Sequence, residues 1–326
     1  MSTTSDPDKT SPAFKGLEND ELPPAPSLLT RAWTFVKKQP LGSAGLMLVI
    51  IFVIMAIFAD VLTTHDPESG EFFDQFTRPY SNSDATGAYF LLGADEFGRD
   101  VFTRIVYGAR TALFVGIVCA VLGAFVGLVL GVASAYFGGW TDTIMQRLMD
   151  ILMAFPLIIL ALTIVIASRA VLQVLDVQNP NDYSIYFVII AITIPFIPKC
   201  ARVVRSSALA IREIPFVDAA RANGFSHSRI IMRHMVPNVM APFLIMLTAF
   251  VGQAILLEAS LSFLGLGVQE PTPAWGLMLR SSQEFIREEA FLAIYPGLAI
   301  TLAVFGFNLF GDAVRDALDP KLRSQN

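Results

Sequence analysis

The sequence predicts an all-α integral membrane protein with about six transmembrane helices. Of its residues, 54% are hydrophobic and 16% are charged, and the mean hydropathy is +0.58, which is far from a soluble domain. Apolar segments near the length of about 20 residues that a helix needs to cross a bilayer recur along the chain. We predict spans at Leu41–Leu62, Thr111–Tyr136, Leu148–Ser168, Ser184–Val204, Val239–Leu261 and Ala290–Phe310.

The chain before the first span is polar and rich in proline and acidic residues, with no apolar signal-peptide segment, so we expect no cleaved leader. Residues 1–27 have the composition of a disordered tail. Ser27–Pro40 is typical of an amphipathic helix at the membrane interface. We therefore divide the chain into a cytoplasmic tail and interfacial helix (1–40), a membrane domain (41–312) with a cytoplasmic loop at 205–236, and a cytoplasmic C-terminal tail (313–326).

The second span carries three glycines at intervals of four residues, Gly123, Gly127 and Gly131. This spacing leaves one face of the helix bare, which favours close packing against another helix.

Charge distribution decides whether the fourth span crosses, because its apolar stretch is short and contains Pro195 and Pro198. The segment Lys199–Arg233 carries seven basic and two acidic residues, whereas Thr63–Val106 carries eight acidic and three basic residues. Since cytoplasmic loops are enriched in Lys and Arg, the first segment should lie inside and the second outside. The fourth span must then cross, kinked by its prolines, and both termini should be cytoplasmic.

The cytoplasmic loop contains a predicted short helix at Ile214–Gly224. Pro215 suits a first helical turn, where its missing N–H needs no partner, and Gly224 suits a left-handed residue that ends a helix. So short a helix is marginal in water and needs a surface to pack against, which favours docking into a groove of another protein. The residues that we assign to this docking element are Phe216, Val217, Asp218, Ala219, Ala220, Gly224 and Pro237.

This loop resembles a motif of known transporters. Asp218-Ala219-Ala220, followed by Gly224, Ile230-Ile231 and Pro237, is similar to the Glu-Ala-Ala…Gly…Ile…Leu-Pro loop of permease subunits in binding-protein-dependent ABC importers. In that family the short helix docks into a cleft of the ATP-hydrolysing subunit. Asp218 replaces the usual Glu, which keeps the charge and shortens its reach. The alternative is an ordinary solvated basic loop between membrane helices.

Further segments resemble the branch of that family that handles dipeptides, oligopeptides, nickel and glutathione. They are Leu92–Asp100 with Tyr107–Arg110, Phe137–Asp142, Asp150 with Ala154–Pro156, Arg233–Asn238, Glu258–Gly267 with Pro271–Gly276, and Asp316–Lys321. Together the resemblance covers about residues 31–323. Pro198–Arg202 departs from it, because relatives often place an aromatic residue before Ala-Arg.

The resemblance implies the type I ABC importer permease architecture, in the inner membrane, with transport by alternating access. It also implies four kinds of partner: a second homologous permease, two ABC ATPase subunits, an extracellular or periplasmic substrate-binding protein, and membrane lipid. We expect no nucleic acid partner. The same motifs serve peptides, nickel complexes and glutathione, so the sequence leaves the substrate open.

Motifs of catalysis are absent from the sequence. No lysine follows a glycine, so there is no Gly-x-x-x-x-Gly-Lys-Ser/Thr phosphate loop, and no zinc-protease or nucleophile-elbow motif occurs. We therefore expect no enzyme activity, catalytic residue, metal site or cofactor in this chain, with ATP and Mg held by partner subunits. Two alternatives are an ion-coupled secondary transporter, for which we find no clear internal repeat, and a membrane scaffold that does not transport.

Two groups of charged residues allow both structural and functional interpretations. Asp95, Glu96, Arg99 and Asp100 form either a salt-bridged loop that caps the bundle or an outer gate and contact for the binding protein. Glu258 lies near the outer end of the fifth span, where an ionisable group is costly unless paired or hydrated. It is either structurally paired or part of the translocation path. We expect a structural role for Asp150.

Overall fold

The computed structural model describes residues 36–37, 39–176, 179 and 183–318, and these are mainly helical. The predicted N-terminal tail and interfacial helix, and the C-terminal tail beyond 318, lie almost wholly outside them. The helices are α1 (Pro40–Ile57), α2 (Ala59–Leu62), α3 (Val101–Phe137), α4 (Gly139–Met153), α5 (Leu157–Val174), α6 (Ser184–Arg212), α7 (Pro215–Ala222), α8 (His227–Ile230), α9 (Met240–Phe263), α10 (Trp275–Ser281) and α11 (Phe291–Leu318). A π-helical turn (Ile231–Met235) and a 3₁₀ turn (Val236–Val239) join α8 to α9.

Six segments of the described chain are long and apolar enough to cross a membrane, as predicted: α1, α3, α5, α6, the stretch His227–Phe263 that ends in α9, and α11. The loop between α2 and α3 holds a one-turn 3₁₀ helix, Phe72–Asp74, and an antiparallel hairpin of β1 (Ser81–Asn82) and β2 (Tyr89–Phe90). The last helix continues to Leu318, beyond the boundary predicted at 312.

The second span begins ten residues earlier than predicted, at Val101 rather than Thr111. Asp100 causes the early start, because its carboxylate accepts a hydrogen bond from the Thr103 N–H at 2.9 Å and so caps the helix. Hydropathy alone does not detect this polar first section of α3.

The third predicted span, Leu148–Ser168, is wrong in its boundaries because the helix breaks at residues 154–156. Pro156 has no N–H to donate and restricts the backbone of the residue before it, and it adopts an extended conformation between α4 and α5. The crossing helix is therefore Leu157–Val174, preceded by the separate helix α4. By contrast, α6 runs unbroken through Pro195 and Pro198, and their kink stays a prediction.

Close packing along the glycine face of α3 is confirmed, and α6 is the partner. A methyl group added at Gly123 would lie 2.7 Å from the Cβ of Phe196, and one at Gly127 would lie 2.5 Å from the Cβ of Cys200. Phe196 in turn stacks on Phe250 of α9 with ring centroids 4.3 Å apart. The helices α3, α6 and α9 thus form the centre of the buried core.

Gly127→Ala should destabilise the bundle by about 1–3 kcal/mol, because the added methyl overpacks the contact between α3 and α6. The matched control is Gly297→Ala, where the new methyl would lie 3.9 Å from Leu279 and meet no clash. Unfolding of the purified protein in increasing SDS, followed by circular dichroism, measures both. Equal midpoints for the two variants would contradict the tight contact.

Candidate functional site

The short helix α7 begins and ends as its sequence predicts. Ile214 is extended and Pro215 occupies the first turn. At the other end Gly224 has φ +73°, and the Phe225 N–H donates to Ala220 O at 3.2 Å while the Gly224 N–H donates to Arg221 O at 2.9 Å. These two bonds form a Schellman cap, which satisfies carbonyls that the helix end would leave unpaired. The ends of α7 are therefore fixed by local sequence.

The orientation of α7 corrects two of the predicted docking residues. Val217 is fully buried and Ala220 is 5% exposed, both inside the chain's own apolar core. They lie three residues apart and so share one helix face. Neither can enter a partner's cleft as α7 is placed here. The face available to a partner instead carries Phe216, Asp218 and Ala219.

Contacts with the C-terminal end of α3 hold the loop that carries α7. The Tyr136 hydroxyl is hydrogen-bonded to Nδ1 of His227 at 2.7 Å, and the Arg221 guanidinium lies 5.2 Å from the Tyr136 ring centroid. Arg212 donates to the Ala135 carbonyl at 2.9 Å. The loop is thereby attached to the longest helix of the described chain, so a displacement of α7 can be transmitted to the membrane domain.

The rings of Phe216, Phe225 and His234 pack together beside α7. The His234 ring lies 5.8 Å from that of Phe216 and stacks on Phe225 at 6.3 Å. Pro237 stands at the start of the 3₁₀ turn Val236–Val239, where a missing N–H is tolerated. Pro237 thus shapes the return from the loop into α9, and its part in docking stays a prediction.

Gly224→Val should reduce transport, because a β-branched residue at φ +73° is strained by about 1–2 kcal/mol. A Cβ at this position would meet no atom within 4 Å, so the effect isolates backbone strain from steric clash. Gly224→Asn is the matched control, since asparagine tolerates the left-handed region. Uptake by whole cells, normalised to the amount of permease in the membrane, compares the two. Normal uptake in Gly224→Val would mean that the cap does not matter.

The charged residues just before α3 form a buried network. The Asp95 carboxylate accepts the Arg99 Nε at 2.7 Å and the backbone N–H groups of Phe97 and Arg99 at 2.9 Å each. Arg99 Nη1 also donates to Glu270 at 2.8 Å. Asp95 and Arg99 are each only 6% exposed. This arrangement matches the salt-bridged loop, one of the two interpretations left open above.

Two members of this network were not singled out from the sequence. Arg104, whose side chain is 1% exposed, donates to Glu270 at 3.2 Å and to the Pro67 carbonyl at 2.9 Å. Glu270 is therefore shared by Arg99 and Arg104 and joins the loop before α3 to the loop after α9. Glu270 lies between the two resemblance segments, Glu258–Gly267 and Pro271–Gly276, and only the fold brings it to the two arginines.

The other two predicted outer residues have separate environments. Asp100 is 5% exposed and caps α3, which favours the structural interpretation for this residue. Glu96 is half-buried at a cavity of about 690 Å³ that Glu270, Arg280 and Glu284 also line. Burial raises the pKa of the Glu96 carboxyl above its usual value. Arg99 lines a second cavity, of about 530 Å³, so two of the four predicted residues, Glu96 and Arg99, each open on a cavity of this region.

Glu258 is buried in the centre of the bundle, with 1% of its surface exposed. The Ser262 hydroxyl donates to its carboxylate at 2.7 Å and accepts the Val268 N–H at 3.2 Å. This chain of hydrogen bonds fixes the turn that follows α9. The geometry favours the structural interpretation of Glu258, with a serine rather than a base as its partner.

Relatives identify the family. Residues 123–324 match the family described as binding-protein-dependent transport system inner membrane component, and residues 27–84 match the N-terminal transmembrane domain of oligopeptide transport permease C. The dipeptide transport system permease protein DppC of Alkalihalophilus pseudofirmus is 42% identical over 294 residues, 90% of each chain. The glutathione transport system permease protein GsiD of Pectobacterium atrosepticum is 36% identical over 292 residues, 90% of this chain and 91% of that one.

A solved structure shares the fold. A chain of the inward-facing MetNI methionine ABC transporter superposes with a TM-score of 0.52 at 19% identity, covering 67% of this chain and 97% of that chain. The type I importer permease fold expected from the sequence is therefore confirmed. With that fold, and with a family match over most of the membrane domain, the chain belongs to the binding-protein-dependent inner-membrane permeases of ABC importers.

Proposed function

We propose that this permease moves peptides, or a related small solute such as glutathione, into the cell by ATP-driven alternating access. The observation that carries the proposal is the 42% identity over nine-tenths of the chain to a relative named as a dipeptide transport permease. As a member of its family the chain is a multi-pass inner-membrane protein and the non-catalytic transport subunit. The secondary-transporter and scaffold alternatives lose support, since neither accounts for the family match.

The proposed assembly contains a second homologous permease, two ATPase subunits that hold ATP and Mg, and an external substrate-binding protein. Phe216, Asp218 and Ala219 of α7 would contact the ATPase, and Val217, Ala220 and Gly224 would hold α7 in place. The outer face near Glu96 would contact the binding protein. ATP binding would close the ATPase pair and turn the membrane helices from the inward-facing to the outward-facing state. A ligand can shift the equilibrium between these two states only by as much as its affinity for them differs.

Uptake by the reconstituted assembly tests this proposal. The permease, its partner permease, the ATPase subunits and the binding protein are placed in proteoliposomes, and labelled alanyl-alanine and glutathione are offered separately. We expect ATP-dependent accumulation of one of them, which depends on the binding protein. Accumulation that instead follows a proton or sodium gradient and ignores ATP would support a secondary transporter and overturn the proposal.

We further propose that both termini and the α7 loop are cytoplasmic, on the strength of the charge asymmetry. Ala85 in the outer loop and Ser228 in α8 are both exposed. Single cysteines at these positions, in a chain with Cys119 and Cys200 replaced by alanine, should react with an impermeant maleimide from opposite sides. Residue 85 should react in intact cells, and residue 228 should react in inverted vesicles. Labelling of both from one side would contradict the orientation.

A further inference from the structure

A group of charged side chains lies at membrane depth on α6 and α4. The helix α3 carries no charged residue from Thr111 to its end at Phe137, so this stretch spans the hydrocarbon and its middle lies near Gly123 and Gly127. Those glycines face Phe196 and Cys200 of α6. Lys199 therefore lies within about one helical turn, or 5 Å, of the bilayer midplane.

An ion pair lies next to Lys199 on its cytoplasmic side. Arg202 is one turn closer to the cytoplasm, about 5 Å along the helix, and is still inside a hydrocarbon core whose half-thickness is about 15 Å. Its guanidinium lies 2.5 Å from the Asp150 carboxylate of α4. The side chains of Arg202 and Asp150 are nonetheless 42% and 51% exposed in this chain.

Such exposure is incompatible with lipid. A charged side chain in hydrocarbon is costly, and ionisable residues in membrane segments almost always face a bundle interior or a water-filled cavity. Lys199 is only half-buried, and within the described residues it has no ion pair or hydrogen bond. The face that carries Lys199, Arg202 and Asp150 thus needs water. Of these three described side chains, the one without an ion pair is the positively charged Lys199.

We propose that Lys199, Arg202 and Asp150 line the translocation path, and that Lys199 binds the carboxylate of the passing solute. Asp150 neutralises Arg202, so Lys199 supplies the net charge of these three side chains. The carboxylate assignment rests on the proposed function, because peptides and glutathione both carry free carboxylates. The proposal replaces the purely structural role expected for Asp150.

Reaction with a charged thiol reagent tests whether this face is wet. Lys199→Cys and Arg202→Cys are made separately in the chain lacking Cys119 and Cys200, and each is assembled with its partners in proteoliposomes. The control is Phe125→Cys on α3, which lies at the same depth and is 57% exposed. The reagent is the impermeant cation MTSET.

Both test cysteines should react at least about tenfold faster than residue 125, because the thiolate is the reacting species and forms only in water. Rates as slow as that of Phe125→Cys at both positions would overturn the path assignment and indicate a lipid or protein contact. Two test positions are used so that one poorly assembled variant does not decide the result.

Slower cysteine labelling in the presence of solute, or protection, tests whether Lys199 contacts the solute's carboxylate. Labelling of Arg202→Cys should slow in the presence of alanyl-alanine or glutathione, but not with alanyl-alanine amide, and adding Lys199→Gln should remove the protection. Equal protection in the Lys199→Gln chain would overturn the assignment to Lys199. The uptake assay and ATP hydrolysis stimulated by the loaded binding protein report the proposed function separately, so its failure and that of the path assignment are distinguishable.

Discussion

We expect Ala219→Arg to produce a permease that inserts in the membrane, pairs with its partner permease and loses the ATPase subunits. Ala219 is exposed on the face of α7 that points away from the chain's own core. The binding energy of an interface concentrates in a few close contacts. A bulky charge there opposes docking by clash and by desolvation. A loss of about 1.4 kcal/mol in binding free energy would already weaken the affinity for the ATPase tenfold. Copurification of the ATPase with tagged permease measures it.

The control is Ala85→Arg, which adds the same charge at an exposed site of the loop between α2 and α3 and should leave retention unchanged. Ala220→Arg is unsuitable as the decisive variant, since Ala220 is buried in this chain and an arginine there would disturb the loop itself. Full ATPase retention and activity in Ala219→Arg would favour a merely solvated basic loop, for which surface changes fall within about 0.5 kcal/mol.

Arg104→Met should lower the free energy of unfolding of the permease by about 3 kcal/mol, the lower end for breaking a buried ion pair. The guanidinium is 99% buried and holds both Glu270 and the Pro67 carbonyl. Glu270 keeps its contact with Arg99 and is 41% exposed, which limits the loss. Thermal unfolding of the purified protein, followed by circular dichroism, measures the change.

Arg78→Met is the matched control, because Arg78 is exposed in the loop that precedes α3 and its replacement should change stability by no more than about 0.5 kcal/mol. In the double variant Arg104→Met with Glu270→Gln, the loss of unfolding free energy should differ from the sum of the two single losses by about 0.5–3 kcal/mol. A stable Arg104→Met permease that fails to transport would instead favour the outer-gate interpretation of this network.

Local features were predictable from the sequence. The ends of α7 follow from Pro215 and Gly224, whose effects on the backbone need no tertiary contact. The glycine face of α3 follows from spacing alone. Six crossing segments follow from hydropathy together with the charge distribution, which decided the fourth. Hydropathy placed the third span across Pro156, because it counts proline as an ordinary residue and does not register its missing N–H.

Features that depend on distant residues were not predictable. Val217 and Ala220 face inward because the loop is fastened to Tyr136 of α3, and an eight-residue helix offers several faces until that contact forms. Glu270 lies 171 residues from Arg99, so no local pattern links them. The depth of Lys199 likewise emerges only when Gly123 and Gly127 are seen to face Phe196 and Cys200.

Photo-crosslinking from α7 tests the central claim most directly. The photoreactive residue p-benzoylphenylalanine is placed at Ala219, and for comparison at Ala85, in the full assembly. Irradiation should join residue 219 to an ATPase subunit, with a yield that changes when ATP binds, and residue 85 should give no such product. An intact assembly in which residue 219 fails to crosslink to the ATPase would contradict coupling through this helix.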